Sequence, residues 1–173
     1  EALAPGNARH AEDRVLRAAR CENRLVDAHL LFGAGATALF TARGCALYAR
    51  EGVLASRCFG DLLDPRGDIR LTVRTERGEE AGLSQGSARF EAGGAQYENA
   101  LDGVDISLNA FLSPEDGTLF HAVRLRNGAP TARETELTLS FPVALCHRDD
   151  CWAHPAFQSL FVASARTEGG ALV

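Results

Sequence analysis

From Val104 onward the chain keeps a two-residue period, and few folds accept it. In VDISLNAFL, Val104, Ile106 and Leu108 point one way while Asp105, Ser107 and Asn109 point the other. SPEDG follows as a turn, in which Pro114 fixes φ and Gly117 permits a positive φ. In TLFHAVRLRN, Leu119, His121, Val123 and Leu125 alternate with Phe120, Ala122, Arg124 and Arg126. After the turn NGAP, the run RETELTLSFPVAL sets Leu137, Leu139, Phe141, Val143 and Leu145 against Thr138 and Ser140. Pro142 cannot donate to a ladder, so this strand bends or runs along an edge there. The pattern predicts three long strands in an antiparallel meander with one face buried. A sandwich of such sheets is the architecture that covers that face.

The same texture extends upstream to Ala28, with turn residues every 8–12 residues or so. HLLFG, ATALFTARG, CALYAREG, VLASRCF and IRLTVRT read as strands, LLDPRGD as a turn, and ERGEEAGLSQG as a charged loop. Residues 1–27 differ. They are rich in Ala, Arg and Glu, and Ala11, Val15, Ala18 and Leu25 fall roughly on one helical face. The expected organisation is a short helix or linker over 1–27 and one all-β sandwich domain over 28–173. A chain of 173 residues is long enough to bury a core.

Charge removes one class of partner. The net charge is −5, so no nucleic-acid partner is expected, because no basic face would neutralise phosphates. All 18 basic residues are Arg. No apolar stretch reaches the roughly 18 residues of a spanning helix. Met is absent, so the chain is expected to begin inside a longer reading frame or to have been trimmed. Five cysteines, mostly dispersed, point to a reducing compartment with buried thiols. The expected location is the cytoplasm, or the cytoplasmic part of an inner-membrane protein.

Chemistry-bearing residues concentrate in CHRDDCWAH. Cys146, Cys151 and His154 are metal ligands by type. Their C-x4-C-x2-H spacing is not a common zinc pattern, and no second ligand pair accompanies it. A Cys146–Cys151 disulfide is sterically allowed and would need an oxidising setting. The favoured reading is two thiols at a strand end and a loop, with no metal. The carboxylate pairs Asp102 and Asp105, Glu115 and Asp116, and Asp149 and Asp150 sit at turns or on polar strand faces, where solvation accounts for them. Asp149 and Asp150 stay of interest because they adjoin His154-Pro155. No G-x-S-x-G elbow is present, and FGAGATALF lacks both a P-loop Lys and G-x-G-x-x-G spacing. His121 alternates with apolar neighbours and reads as a packed core histidine. No cofactor is implied. A pyranose presents an apolar C–H face that an aromatic ring can cover, so Trp152, Tyr48, Tyr97 and Phe157 are candidate sugar contacts or core residues.

The stretch from Ala88 to Ala165 resembles a known family. ARFEAGGAQYENALDGVDISLNAFLSPEDGTLFHAVRLRNGAPTARETELTLSFPVAL is similar to the N-terminal supersandwich domain of glycoside hydrolase family 94, formerly glycosyltransferase family 36. The matching positions are Tyr97, Glu98, Gly103, Val104, Ser113, Pro114, Asp116, Leu125, Asn127, Arg133, Glu134, Leu137 and Thr138. His154, Pro155, Ala156, Phe157, Leu160, Phe161 and Val162 resemble the HPAF-x-x-LFV of cyclic β-1,2-glucan synthases. Upstream, Ala and Cys stand where the family carries a Tyr- or Trp-bearing stretch.

The resemblance implies a galactose-mutarotase-like antiparallel β-sandwich, here a partial supersandwich. In that family it precedes an (α/α)6 barrel that carries the general-acid Asp and the phosphate site. The implied function is a non-catalytic sandwich module of a cellobiose-phosphorylase-like or cyclic-glucan-synthase-like enzyme. Its implied partners are the downstream barrel, a second copy in a homodimer, and a β-glucan or oligosaccharide. Trp152, His154, Phe157, Tyr97 and Asp150 are the sugar-contact candidates, and no residue of this chain corresponds to the catalytic Asp. The alternative is a free-standing carbohydrate-binding or protein-interaction domain. An epimerase-like enzyme built on His121 or His154 has no supporting spacing.

Overall fold

A computed structural model describes residues 27–56 and 68–154, together with 160, 162, 163, 165, 167 and 168. The helix or linker expected over 1–27 lies outside these residues except for Asp27. The LLDPRGD turn lies outside them except for Asp68, and Phe157 lies outside them too. Among the described residues there are twelve strands. The first four are β1 (Ala28–Gly33), β2 (Ala36–Thr41), β3 (Gly44–Arg50) and β4 (Val53–Ser56). They are followed by β5 (Arg70–Thr75), β6 (Glu80–Gly82), β7 (Ser87–Glu91) and β8 (Gly94–Leu101). The last four are β9 (Val104–Leu112), β10 (Leu119–Asn127), β11 (Thr135–Ser140) and β12 (Val143–His147). A one-turn 3-10 helix spans Leu83–Gln85, and the short helix α1 spans Arg148–Ala153.

Two-residue turns set much of the register. Ala34-Gly35, Glu51-Gly52 and Asp102-Gly103 each place both residues at positive φ. This is the type I′ geometry, whose twist matches that of paired strands. The strands form three antiparallel sheets: β1-β2-β3-β4-β12, β10-β9-β8-β7 and β11-β5-β6. All three feed one core. Ala38, Phe40 and Cys45 come from the five-stranded sheet, and Leu71 and Val73 from the three-stranded sheet. The four-stranded sheet adds Ala95, Tyr97, Ile106, Leu108 and Ala110. Each large apolar side chain buried there contributes roughly 1.5–3 kcal/mol. The all-β sandwich expected from the alternation is therefore the fold observed.

Three expectations need correction. The three strands after Val104 do not form one meander. β9 and β10 pair as a hairpin, but β11 crosses to pair with β5. The run RETELTLSFPVAL is not a single strand either: it breaks at Phe141-Pro142, and β12 joins β4 in another sheet. Proline, which has no amide hydrogen to give a ladder, marks the point where the chain changes sheets. The charged loop ERGEEAGLSQG also contains order. β6 pairs with β5, and Ala81 and Leu83 are buried.

Among the described residues, one side of the sandwich is open. β10 and β11 are both edge strands, and each carries apolar residues on its core-facing phase. Leu137 and Leu139 lie directly opposite the buried Val73 and Leu71 and so share their face, yet both are exposed, as are Leu125 and Phe141. Tyr48, Ser56, Ile69, Leu119, His121, Leu139 and Phe141 line a cavity of about 220 Å³ that opens on this side.

Candidate sugar-contact surface

The single Trp sits on α1, which caps the edge of the five-stranded sheet. His147 forms the N-cap, its Nδ1 accepting the Asp149 N–H at 3.4 Å. The Arg148 N–H donates to the Gly52 carbonyl at 3.0 Å, fixing the helix against the β3–β4 turn. Asp149 and Asp150 occupy the first turn, where the exposed N–H groups favour negative charge. Cys151 turns inward onto Leu54 and Ala144 in a small second core, with Leu47, Ala49 and Cys146 packed around it. Trp152 therefore faces outward, and it is 58% exposed.

Beside Trp152 lies a cavity of about 250 Å³ on the outer face of the sheet. Leu30, Leu39 and Leu47 give it an apolar floor, and Thr37, Glu51 and Arg148 bring polar groups to it. Arg148 and Trp152 are four positions apart, one helical turn, and the guanidinium carbon lies 5.5 Å from the ring centroid. A flat indole next to one acid and one guanidinium is an arrangement that can stack a pyranose ring and hydrogen-bond its hydroxyls.

Of the other sequence candidates, Asp150 and His154 share α1 with Trp152 but do not line this cavity. Asp150 is exposed on α1, and its carbonyl accepts the His154 N–H at 3.0 Å. His154 is the C-cap residue and is exposed. Phe157 lies outside the described residues. Tyr97 is not a surface aromatic. It is 1% exposed, and its hydroxyl donates to the Thr41 carbonyl at 2.8 Å, joining the four-stranded sheet to the five-stranded one. No sugar reaches it, and burial raises its phenol far above the usual range. Tyr48 is similarly engaged, donating to the Gly117 carbonyl at 3.0 Å. Cys146 and Cys151 are free thiols rather than a disulfide. Among the described residues no group of three or more His, Cys, Asp or Glu side chains could hold a metal ion.

Several other titratable groups tie the fold together. Asp68 is buried and pairs with Arg43 at 3.0 Å. Asp102 is held by Arg77 at 3.1 Å and Arg133 at 3.5 Å, while Arg133 also reaches Glu76 at 3.3 Å. This network ties the β8–β9 turn to the segment before β11. Asp116 is held at about 2, first by the Thr118 N–H and then by the Ser113 and Thr118 hydroxyls. Burial pushes the Cys45 thiol up to about 12 and lowers the His121 imidazole. His121 is thus a neutral lining residue of the open side, close to the packed histidine expected from its phase.

Two features escaped the sequence reading. Arg148 and Glu51 join Trp152 although they are 97 positions apart in the chain, and only the β3–β4 turn beneath α1 brings them together. Phe111 and Phe120 stack on the outside of the four-stranded sheet, with centroids 5.3 Å apart and an interplanar angle of 13°. Their signal was available, since each is a large aromatic in the polar phase of its strand.

Comparison with known proteins agrees with this fold. A family model described as glycosyl hydrolase 94, supersandwich domain, matches residues 75–173, more than half of the chain. No curated protein matches it.

Proposed function

The chain belongs to the glycosyl hydrolase 94 supersandwich family, and we propose that it is a non-catalytic sandwich module of a carbohydrate-active enzyme of the glycoside phosphorylase or cyclic β-1,2-glucan synthase type. The carrying observation is the open side of the sandwich. Leu125, Leu137, Leu139 and Phe141 present apolar surface next to strand edges that no described strand pairs, and such surface favours association. Its occupants in this reading are a second copy of the chain and a downstream (α/α)6 barrel, with the whole in the cytoplasm.

Light scattering across a range of concentrations tests the association. The wild-type chain should self-associate, and Leu139→Glu should make it monomeric with an unchanged circular dichroism spectrum. A strictly monomeric wild type at high concentration removes the dimer.

The Trp152 recess supports a sugar contact in the same module. Trp152 is the one tryptophan, so intrinsic fluorescence reports directly on that site. Titration with β-linked gluco-oligosaccharides should shift its emission, and Arg148→Ala should weaken the effect. No shift with any linkage removes Trp152 from the contact.

A further inference from the structure

The outward face of β7–β10 carries a pattern that solvation does not require. Pairing fixes its rows. Glu91, Gly94, Phe111 and Phe120 lie in line across the four strands. Arg89, Gln96, Asn109 and Ala122 form the next row. Ser87, Glu98, Ser107 and Arg124 form a third, and Ala100, Asp105 and Arg126 a fourth. Rows are about 7 Å apart along the strands, and four strands span about 14 Å.

We propose that this face is a glycan-binding surface for a neutral oligosaccharide lying along β9, with the exposed Phe111–Phe120 pair against one sugar ring and the Gln96–Asn109 amide row on the hydroxyls of the next.

Three observations support it. The stacked pair is 38% and 47% exposed, so two aromatic rings are held open to solvent where the alternation calls for polar residues. An aromatic pair is worth about 1 kcal/mol beyond its area, which makes the platform rigid before any ligand arrives. Next, Gln96 and Asn109 lie directly opposite each other on this face, Gln96 half-buried and Asn109 exposed. Each amide offers both a donor and an acceptor, which suits a hydroxyl that both gives and accepts. Ala122 beside Asn109 and Gly94 beside Phe111 are small, so the amides and rings stand clear of their neighbours. Finally, Arg89, Arg124 and Arg126 balance Glu91, Glu98 and Asp105, so the face carries no net charge. A neutral polyol complements that surface, whereas a phosphate-rich or basic ligand does not.

This platform lies on a different sheet from Trp152 and does not depend on it. Isothermal titration of the whole chain with neutral β-1,2-, β-1,3- and β-1,4-linked gluco-hexasaccharides tests it. At least one should bind. Phe120→Ala and Asn109→Ala should each weaken that binding about tenfold, which corresponds to about 1.4 kcal/mol. Phe120→Tyr should retain it, and Trp152→Ala should leave this component unchanged. Circular dichroism checks that the exposed-site variants stay folded. The proposal is overturned if no hexasaccharide binds, if Phe120→Ala and Asn109→Ala bind like wild type, or if only Trp152→Ala abolishes binding. It is also overturned if Phe120→Ala abolishes self-association instead, because the face is then a protein interface.

Discussion

Replacing Tyr97 by Phe removes one oxygen and asks how firmly two sheets are joined. The Tyr97 hydroxyl crosses from β8 to the Thr41 carbonyl of β2, a contact between residues 56 apart in the chain. Both residues are fully buried, at 1% and 0% exposure, so water cannot replace the lost donor. A hydrogen bond of this kind contributes about 1 kcal/mol net, and depriving a buried acceptor of a donor costs about 1–3 kcal/mol. The ring stays in place, so the packing loss is small. The expected destabilisation is therefore about 1–2 kcal/mol, or a fall in Tm of roughly 2–8 °C for a chain of this size. Calorimetry and urea unfolding of the two proteins would measure it, with an unchanged m-value showing that the same surface is exposed. Oligosaccharide affinity should not move. A Tyr97→Phe protein as stable as wild type would mean that the hydroxyl does not bridge the sheets. A stable variant that lost sugar binding would return Tyr97 to the ligand surface and refute its placement in the core.

At Gly117, φ is +70°, and an added Cβ would lie 2.6 Å from the Ala36 Cβ and 2.9 Å from the Gly33 carbonyl oxygen. Gly117→Ala should therefore cost about 2–4 kcal/mol in urea unfolding, and a loss below about 1 kcal/mol would show that this turn can move away from β1–β2. His121 is held neutral by burial, while in the unfolded chain it titrates near 6.5. The unfolded state then binds more protons, so stability should fall as pH drops below about 6.5, and His121→Leu should flatten that limb of the pH profile. With its thiol at about 12, Cys45 should resist maleimide at pH 8 until the protein unfolds, and peptide mapping that finds it labelled in native protein would contradict its burial.

Phase was legible in the sequence, but partnership was not. A two-residue period says which side chains share a face, and Val104, Ile106 and Leu108 are buried as that period requires. It carries no information on which strand lies alongside. β11 finds β5 rather than β10 because Leu137 and Leu139 extend the apolar face of Val73 and Leu71, a match made over more than sixty residues of chain. Proline showed that RETELTLSFPVAL could not continue straight, and the change of sheet at Pro142 is the consequence. The aromatics divide on the same principle. Tyr97 shares its phase with Ala95 and pairs with Leu108, so alternation already assigned it to the core, ahead of any sugar-stacking role. Phe111 and Phe120 break their phase, and Trp152 follows Cys151 out of the small second core.

The open side marks where phase alone misleads. By alternation, Leu125, Leu137 and Leu139 are core residues, indistinguishable in sequence from Ile106 or Leu108. Whether such a residue is buried depends on a second layer opposite it, and along β10 and β11 the described residues supply only part of one. His121 registers this directly: desolvation lowers its imidazole, yet it lines a cavity open to one side. Exposed leucines in core phase beside unpaired edges are costly to a protein that stands alone. The cost disappears when another chain or domain closes the layer. That asymmetry among the described residues is the ground on which we propose a component that packs against a partner rather than a self-contained binding domain.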